Sequence, residues 1–321
     1  MKHMGKRDRE AQCISIRQWD SIRKAWEDYI PTYPSPWPKP DHELAELNSL
    51  SEELQKFSSN HQRNMDKETL EYDIPGLRAS VLHEAVTLLH KAANVLRAME
   101  VEAVSGYGTW SRSSAYHSAF FAMRGVLGVL GVVVVPANAR KRNFQIDIWA
   151  PRRKKVSTPT ANEFAIRITP RKAVQHKELW SLFTRVLRAN KIDQSVWPYL
   201  GNDVLRDFDP GKFSIIRHRL HYRSTGWIYD DLWDDSNKQD LGGLAHDVLD
   251  IKYLDDPNHD SFPPSLALHI LSMGMALLSD LGSEVPRIRE EVERAESLMK
   301  NTAWSCANAF EVSGKGRGNE Q

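Results

Sequence analysis

The chain is short of cysteine: its 321 residues include two, Cys13 and Cys306, near opposite ends. Two cysteines so far apart make no disulfide framework and fit a reducing compartment. Neither has a cysteine neighbour, which excludes a zinc knuckle. The chain is also short of net charge, with 43 Lys and Arg against 42 Asp and Glu. No global field draws it to nucleic acid or membrane, so any such binding falls to local patches. Long apolar runs are missing too. The most apolar stretch, Gly125 to Ala137 (GVLGVLGVVVVPA), falls well short of the ~20 residues a membrane-spanning helix needs. Arg124 precedes it and Pro136 sits near its end, so it reads as a buried core segment. The charged start, Met1-Lys-His-Met-Gly-Lys-Arg, has no signal-peptide apolar core. A cytoplasmic protein with no membrane contact is expected.

Several chemical signatures are absent as well. No Walker lysine follows Gly106-Tyr-Gly108, and no G-x-S-x-G elbow occurs. His83 and His90 share a helix face, and His218 and His221 lie three apart, but neither pair has a third ligand at a recognisable spacing. Neither metal nor cofactor is expected.

Helical periodicity dominates what is present. A weak helix is expected over residues 12–29, with apolar or aromatic residues at Ile14, Ile16, Trp19, Ile22, Trp26 and Ile30. Five prolines between Pro31 and Pro40 then impose an extended connector, which could serve as a ligand for an aromatic groove on a partner. Leu44, Leu47, Leu50 and Leu54 mark another helix, capped by Asp41. After the Pro75-Gly76 turn, a long helix starts near Leu77, its stripe running from Val81 to Met99. A second helix carries Ala115, Tyr116, Ala119, Phe120, Met123 and Leu127 and finishes at Gly131 and Pro136. Further helices are expected over residues 179–187, 213–222, 265–281 and 286–299.

The middle changes period. Phe144-Gln-Ile-Asp-Ile-Trp149 and Phe164-Ala-Ile-Arg-Ile168 alternate apolar and polar residues, as strands do. The expected fold is therefore mainly α: a helical bundle with a small inserted β-hairpin. Residues 1–76 read as a helical and proline-rich extension. Residues 77–304 read as the helical core, with the hairpin at about 143–169, and 305–321 as a flexible polar tail.

Two clusters could carry chemistry. Arg140, Lys141 and Arg142, with Arg152, Arg153, Lys154 and Lys155, form a basic patch near Phe144 and Trp149, joined by Arg171 and Lys172. Cations beside aromatics suit single-stranded nucleic acid, with phosphates on the charges and bases on the rings. Alternatively, both aromatics face the core and the charges solubilise a loop. The second cluster is Arg217-His218-Arg-Leu-His221-Tyr222. On a helix, Arg217 and His221 share a face. A guanidinium can hold a phosphate and an imidazole can move a proton. A solvated basic helix face is the alternative. Ten tryptophans leave a third question open. Trp19, Trp26, Trp37, Trp227 and Trp233 sit in polar or proline-rich contexts, as interface residues or as cover for the core.

The stretch Ser113-Ser-Ala-Tyr116-His-Ser-Ala-Phe120 through Gly131 resembles the second helix of HEPN-type domains. His176-Lys-Glu-Leu-Trp180 and Arg217-His218-Arg-Leu-His221-Tyr222 follow in similar order and spacing, so the resemblance spans about residues 77–225. Arg217 and His221 stand closer together than the family usually places its arginine and histidine. The resemblance implies an all-helical, usually dimeric fold. It also implies a metal-independent endoribonuclease in a toxin–antitoxin or phage-defence setting. Arg217, His218, His221 and Tyr222 would be its catalytic residues. It equally allows a non-catalytic helical module that binds protein or RNA.

Overall fold

The computed structural model describes residues 17–30, 50, 54, 70–72, 74, 76–137, 142–152, 164–171, 174–192, 196–197, 212–213, 254 and 261–300. The protein is mainly α, with six helices and two small sheets among these residues. It divides into two compact units. The first takes Met1–Glu84, Leu127–Gln175 and Arg185–Lys191; the second takes Ala85–Val126, His176–Thr184 and Ile192–Gln321.

The first unit is built on a sheet. Helix α1 (Trp19–Tyr29) follows strand β1 (Arg17–Gln18). Strands β2 (Leu70–Tyr72), β3 (Val132–Ala137), β4 (Arg142–Pro151) and β5 (Phe164–Arg171) form an antiparallel sheet in the order β2-β5-β4-β3. The two alternating segments pair as β4 and β5, with Ile146 opposite Ile168. They are the centre of a sheet of four, because β2 and β3 flank them. The apolar run from Gly125 thus changes conformation midway, from helix to strand β3. Gly131 makes the change: its φ of 81° is a left-handed conformation that favours glycine. Its N–H bonds to the Gly128 carbonyl and its own carbonyl accepts from Ile148 N–H, both at 2.9 Å.

Strand β4 is irregular between Asp147 and Ala150, where its register with β5 shifts. A bulge frees backbone groups that must find other partners, and here side chains supply them. Asp147 Oδ1 accepts the Trp149 N–H at 3.2 Å, and Arg17 Nη1 donates to the Trp149 carbonyl at 3.2 Å. Arg78 Nε donates to the Ile148 carbonyl at 3.2 Å, and its guanidinium lies 4.7 Å from the Trp149 ring centre. Arg17 and Asp147 themselves form an ion pair of 2.7 Å, with side chains only 3% and 8% exposed. Helix α1 docks beside them. Trp26 meets Trp149 edge-on at 4.9 Å and donates its indole N–H to the Val129 carbonyl at 2.9 Å. Trp19 and Trp26 are buried. Their polar sequence context arises because the other faces of a narrow helix are wet. Asn190, in strand β6 (Asn190–Lys191), pairs in parallel with Arg17.

The second unit is helical. It contains most of α2 (Leu77–Val104) and α3 (Gly108–Val129), the first turns of α4 (His176–Ala189), and α5 (Phe262–Gly282) and α6 (Pro286–Lys300). Ser118 of α3 donates to the Ala92 carbonyl of α2 at 2.8 Å, while Gly125 of α3 lies against Ala85 and Leu89. Contacts that climb one helix as they descend the other make the pair antiparallel, as a short glycine turn requires. Gly274 of α5 also closes on Leu89, so three helices meet at one leucine side chain flanked by two glycines.

Helix α5 starts earlier than its apolar period suggests. Pro263 and Pro264 sit in its first turn, where a missing N–H costs nothing. Its length and composition would let it cross a membrane, yet 94% of its most apolar window is buried within the protein. That is how a core helix, apolar on every side, behaves. The helix encloses His269, which is 3% exposed and donates Nδ1–H to the Ser265 carbonyl at 2.8 Å.

Burial pushes the His269 imidazole below its ordinary pKa of 6.5, partly opposed by that hydrogen bond, and burial lowers His83 likewise. Both rings stay neutral to lower pH in the fold than in the unfolded chain, which takes up its protons near pH 6.5. Their favourable state is therefore complete above about pH 6.5 and is lost as pH falls from there towards the lowered values. The melting temperature should drop between about pH 7 and pH 5. The drop should be smaller in His269→Leu, which removes one of the two titrations; an identical pH slope in that variant would contradict the assignment.

Candidate functional site

Helices α3 and α4 each bring two residues into one cluster. Tyr116 and Phe120 are four apart on α3, and His176 and Trp180 four apart on α4, so each pair shares a helix face. Across the gap, His176 stacks on Phe120 with ring centres 4.3 Å apart and planes 13° apart. Trp180 meets Phe120 edge-on at 6.3 Å and lies 6.5 Å from Tyr116. Its indole N–H, which can only donate, gives to the Tyr116 hydroxyl oxygen at 3.3 Å. The same oxygen lies 3.4 Å from His176 Nδ1. Tyr116 and Trp180 are buried, whereas His176, the first residue of α4, is half-buried.

Phe213 extends the cluster. It stacks on Trp180 with centres 4.1 Å apart and planes 18° apart, and it is fully buried. Phe213 lies four residues before Arg217 in the chain. Arg217, His218, His221 and Tyr222 themselves lie outside the described residues.

The basic patch is distributed by the sheet register. Arg142 pairs with Ala137 and Asn143 with Arg171 at one end of the sheet, whereas Pro151 pairs with Phe164 at the other. Strand β4 has ten residues, about 30 Å at ~3.3 Å each. Arg142 and Arg171 thus stand at one end and Arg152, half-buried, at the opposite end. Arg171 holds Gln145 Oε1 through Nε and Nη2. Arg140, Lys141, Arg153, Lys154 and Lys155 fall outside the described residues. The aromatics expected to stack on bases belong to the core: Phe144 is 5% exposed and Trp149 3%. Strand alternation alone does not reveal this, because β4 is buried on both of its faces.

Among the described residues, the large apolar side chains left exposed are Val101, Val104, Tyr107 and Trp110. All four lie around the turn between α2 and α3. Among the described residues, too, no group of three His, Cys, Asp or Glu side chains gathers as a metal site would require. His90 donates its Nε2 proton to the Glu291 carbonyl at 3.0 Å.

No protein-family model, characterised protein or solved structure matches this chain.

Sequence reasoning named His176 but did not foresee that it meets Tyr116 and Phe120. Its four-residue spacing to Trp180, beside the same spacing from Tyr116 to Phe120, was the available signal. Which residues meet across the two helices is invisible until they pack.

Proposed function

We propose that this chain is a metal-independent endoribonuclease of the HEPN type. It would be cytoplasmic, built as a helical bundle with a hairpin insert and acting as a homodimer in a defence or toxin–antitoxin role. The observation that carries the reading is the single cluster of Tyr116, Phe120, His176 and Trp180, drawn from the two motifs that support the resemblance. The third motif follows Phe213, which stacks on Trp180, by four residues in the sequence. In this reading Arg217 neutralises the phosphate and His221 takes the proton of the 2′-hydroxyl. His218 and Tyr222 orient them. The basic residues Arg140, Lys141, Arg142, Arg152, Arg153, Lys154 and Lys155 would contact RNA through its phosphates.

The chemistry predicts its products. Attack by the 2′-oxygen leaves a 2′,3′-cyclic phosphate on one fragment and a 5′-hydroxyl on the other. A labelled RNA incubated with the protein should give those termini, and Arg217→Ala should reduce the rate ~100-fold or more. Fragments ending in 3′-hydroxyl and 5′-phosphate would refute this mechanism.

A non-catalytic binding module is the second reading. The exposed Val101, Val104, Tyr107 and Trp110 support it, since clustered apolar side chains at a helix turn suit a protein contact. The proline-rich segment around Pro31 to Pro40 would add a second contact.

A further inference from the structure

We propose that Arg17 and Asn190 form a buried site for a phosphate ion in the first unit. The inference stands apart from the ribonuclease reading and uses none of its catalytic residues.

The Arg17 guanidinium is engaged through one nitrogen. Its Nη1 donates to Asp147 Oδ1 at 2.7 Å and to the Trp149 carbonyl at 3.2 Å. Nε and Nη2 are enclosed and have no hydrogen-bond partner among the described residues. These two nitrogens share an edge of the planar group, and their parallel N–H bonds fit two oxygens of one oxyanion. Bare donors in the interior cost stability, and a side chain 3% exposed cannot turn to solvent for partners. Asn190 supplies the complementary group. It is the parallel partner of Arg17 across β1 and β6, so the two side chains stand on the same side of the pair. Its Nδ2 donates to the Val186 carbonyl at 2.7 Å, while Oδ1 is enclosed and lacks a partner among the described residues. One ion that accepts at two oxygens and donates from a third satisfies both residues. An ionised carboxylate has no O–H to give, whereas a phosphate ion near neutral pH carries both functions. Arg78 Nε bonds the neighbouring Ile148 carbonyl at 3.2 Å, and this second guanidinium at the bulge favours an anion over water.

Enclosure of these atoms means that the ion enters when β1 lifts from β6. Strand β1 is two residues long and pairs with β6 alone among the described residues. Once bound, the phosphate bridges Arg17 on β1 to Asn190 on β6 and ties the segment that carries α1 to the first unit. An ion held by the folded state alone raises stability with its concentration.

The test titrates the full chain with inorganic phosphate, against chloride at equal ionic strength, and follows the denaturation midpoint. The wild-type midpoint should rise with phosphate and saturate, unlike the unsaturable rise that an excluded salt gives. Arg17→Lys keeps a positive charge beside Asp147 but removes the two-pronged edge, and should weaken phosphate binding by ~10-fold or more. A wild-type response to phosphate no different from that to chloride would mean that water alone meets these groups, and would overturn the inference. Equal phosphate affinity in Arg17→Lys would mean an adventitious ion only, held elsewhere, and would overturn it too. Should that variant not fold, the Nε–H signal of Arg17 in the wild-type NMR spectrum reads the site directly: it should shift with phosphate and not with chloride, and a signal that phosphate leaves unmoved would overturn the inference.

Discussion

Replacing Asp147 with leucine is expected to lower the unfolding free energy by about 3–5 kcal/mol, the usual result of stranding one member of a buried ion pair. Arg17 would keep its charge, with a side chain 3% exposed, and lose its carboxylate at 2.7 Å. The Trp149 N–H, which Asp147 Oδ1 accepts at the irregular part of β4, would lose its partner as well. Urea titration followed by tryptophan fluorescence reads the change as a shift in midpoint at constant slope. The double variant Arg17→Met with Asp147→Leu should recover much of the loss, because an apolar pair of similar volume avoids burying an uncompensated charge. A single variant as stable as wild type would show that the pair contributes nothing to the first unit.

The second large effect is expected at Gly131, where Gly131→Ala fails on two independent grounds. Its φ of 81° costs an L-residue about 1–2 kcal/mol. A Cβ there would also collide with Cδ1 of Trp149 and approach Ile148 Cγ1 to 3.2 Å. Trp149 cannot easily move aside, with Trp26 edge-on at 4.9 Å and Arg78 at 4.7 Å from its ring centre. Overpacking of that kind adds about 1–3 kcal/mol. A total near 2–5 kcal/mol is therefore predicted, again from a denaturation midpoint. The comparison variant Gly106→Ala separates the two causes. Gly106 shares the positive φ, at 85°, but a Cβ there would meet nothing within 4 Å. It should lose only the backbone share.

These two positions also show where the sequence can be read and where it cannot. The long helices are legible because their apolar stripes repeat at the helical period; α2 starts at Leu77 and α6 at Pro286, as the turn and proline signals indicate. The β4 and β5 strands are legible from alternation. Strand β3 is hidden because Val132 to Val135 continue an apolar run without alternation, and only the backbone of Gly131 marks the switch from helix. Strand β2 is hidden because three residues carry no period. A pairing register cannot be read from charge clusters, so basic residues close in sequence end up at opposite ends of the sheet. The tryptophans mislead by context. Trp19 and Trp26 look exposed among charges but are buried, while Trp110, set among small residues, is 51% exposed. The Tyr116–His176 cluster depends on contacts 60 residues apart in sequence, which no local pattern encodes.

The proposed metal-independent RNA cleavage is tested most directly by incubating the purified full chain with total RNA in EDTA, beside His221→Ala. Cleavage by the wild type and loss of cleavage in the variant is the predicted result. Intact RNA with both proteins, or cleavage that EDTA abolishes, would contradict it.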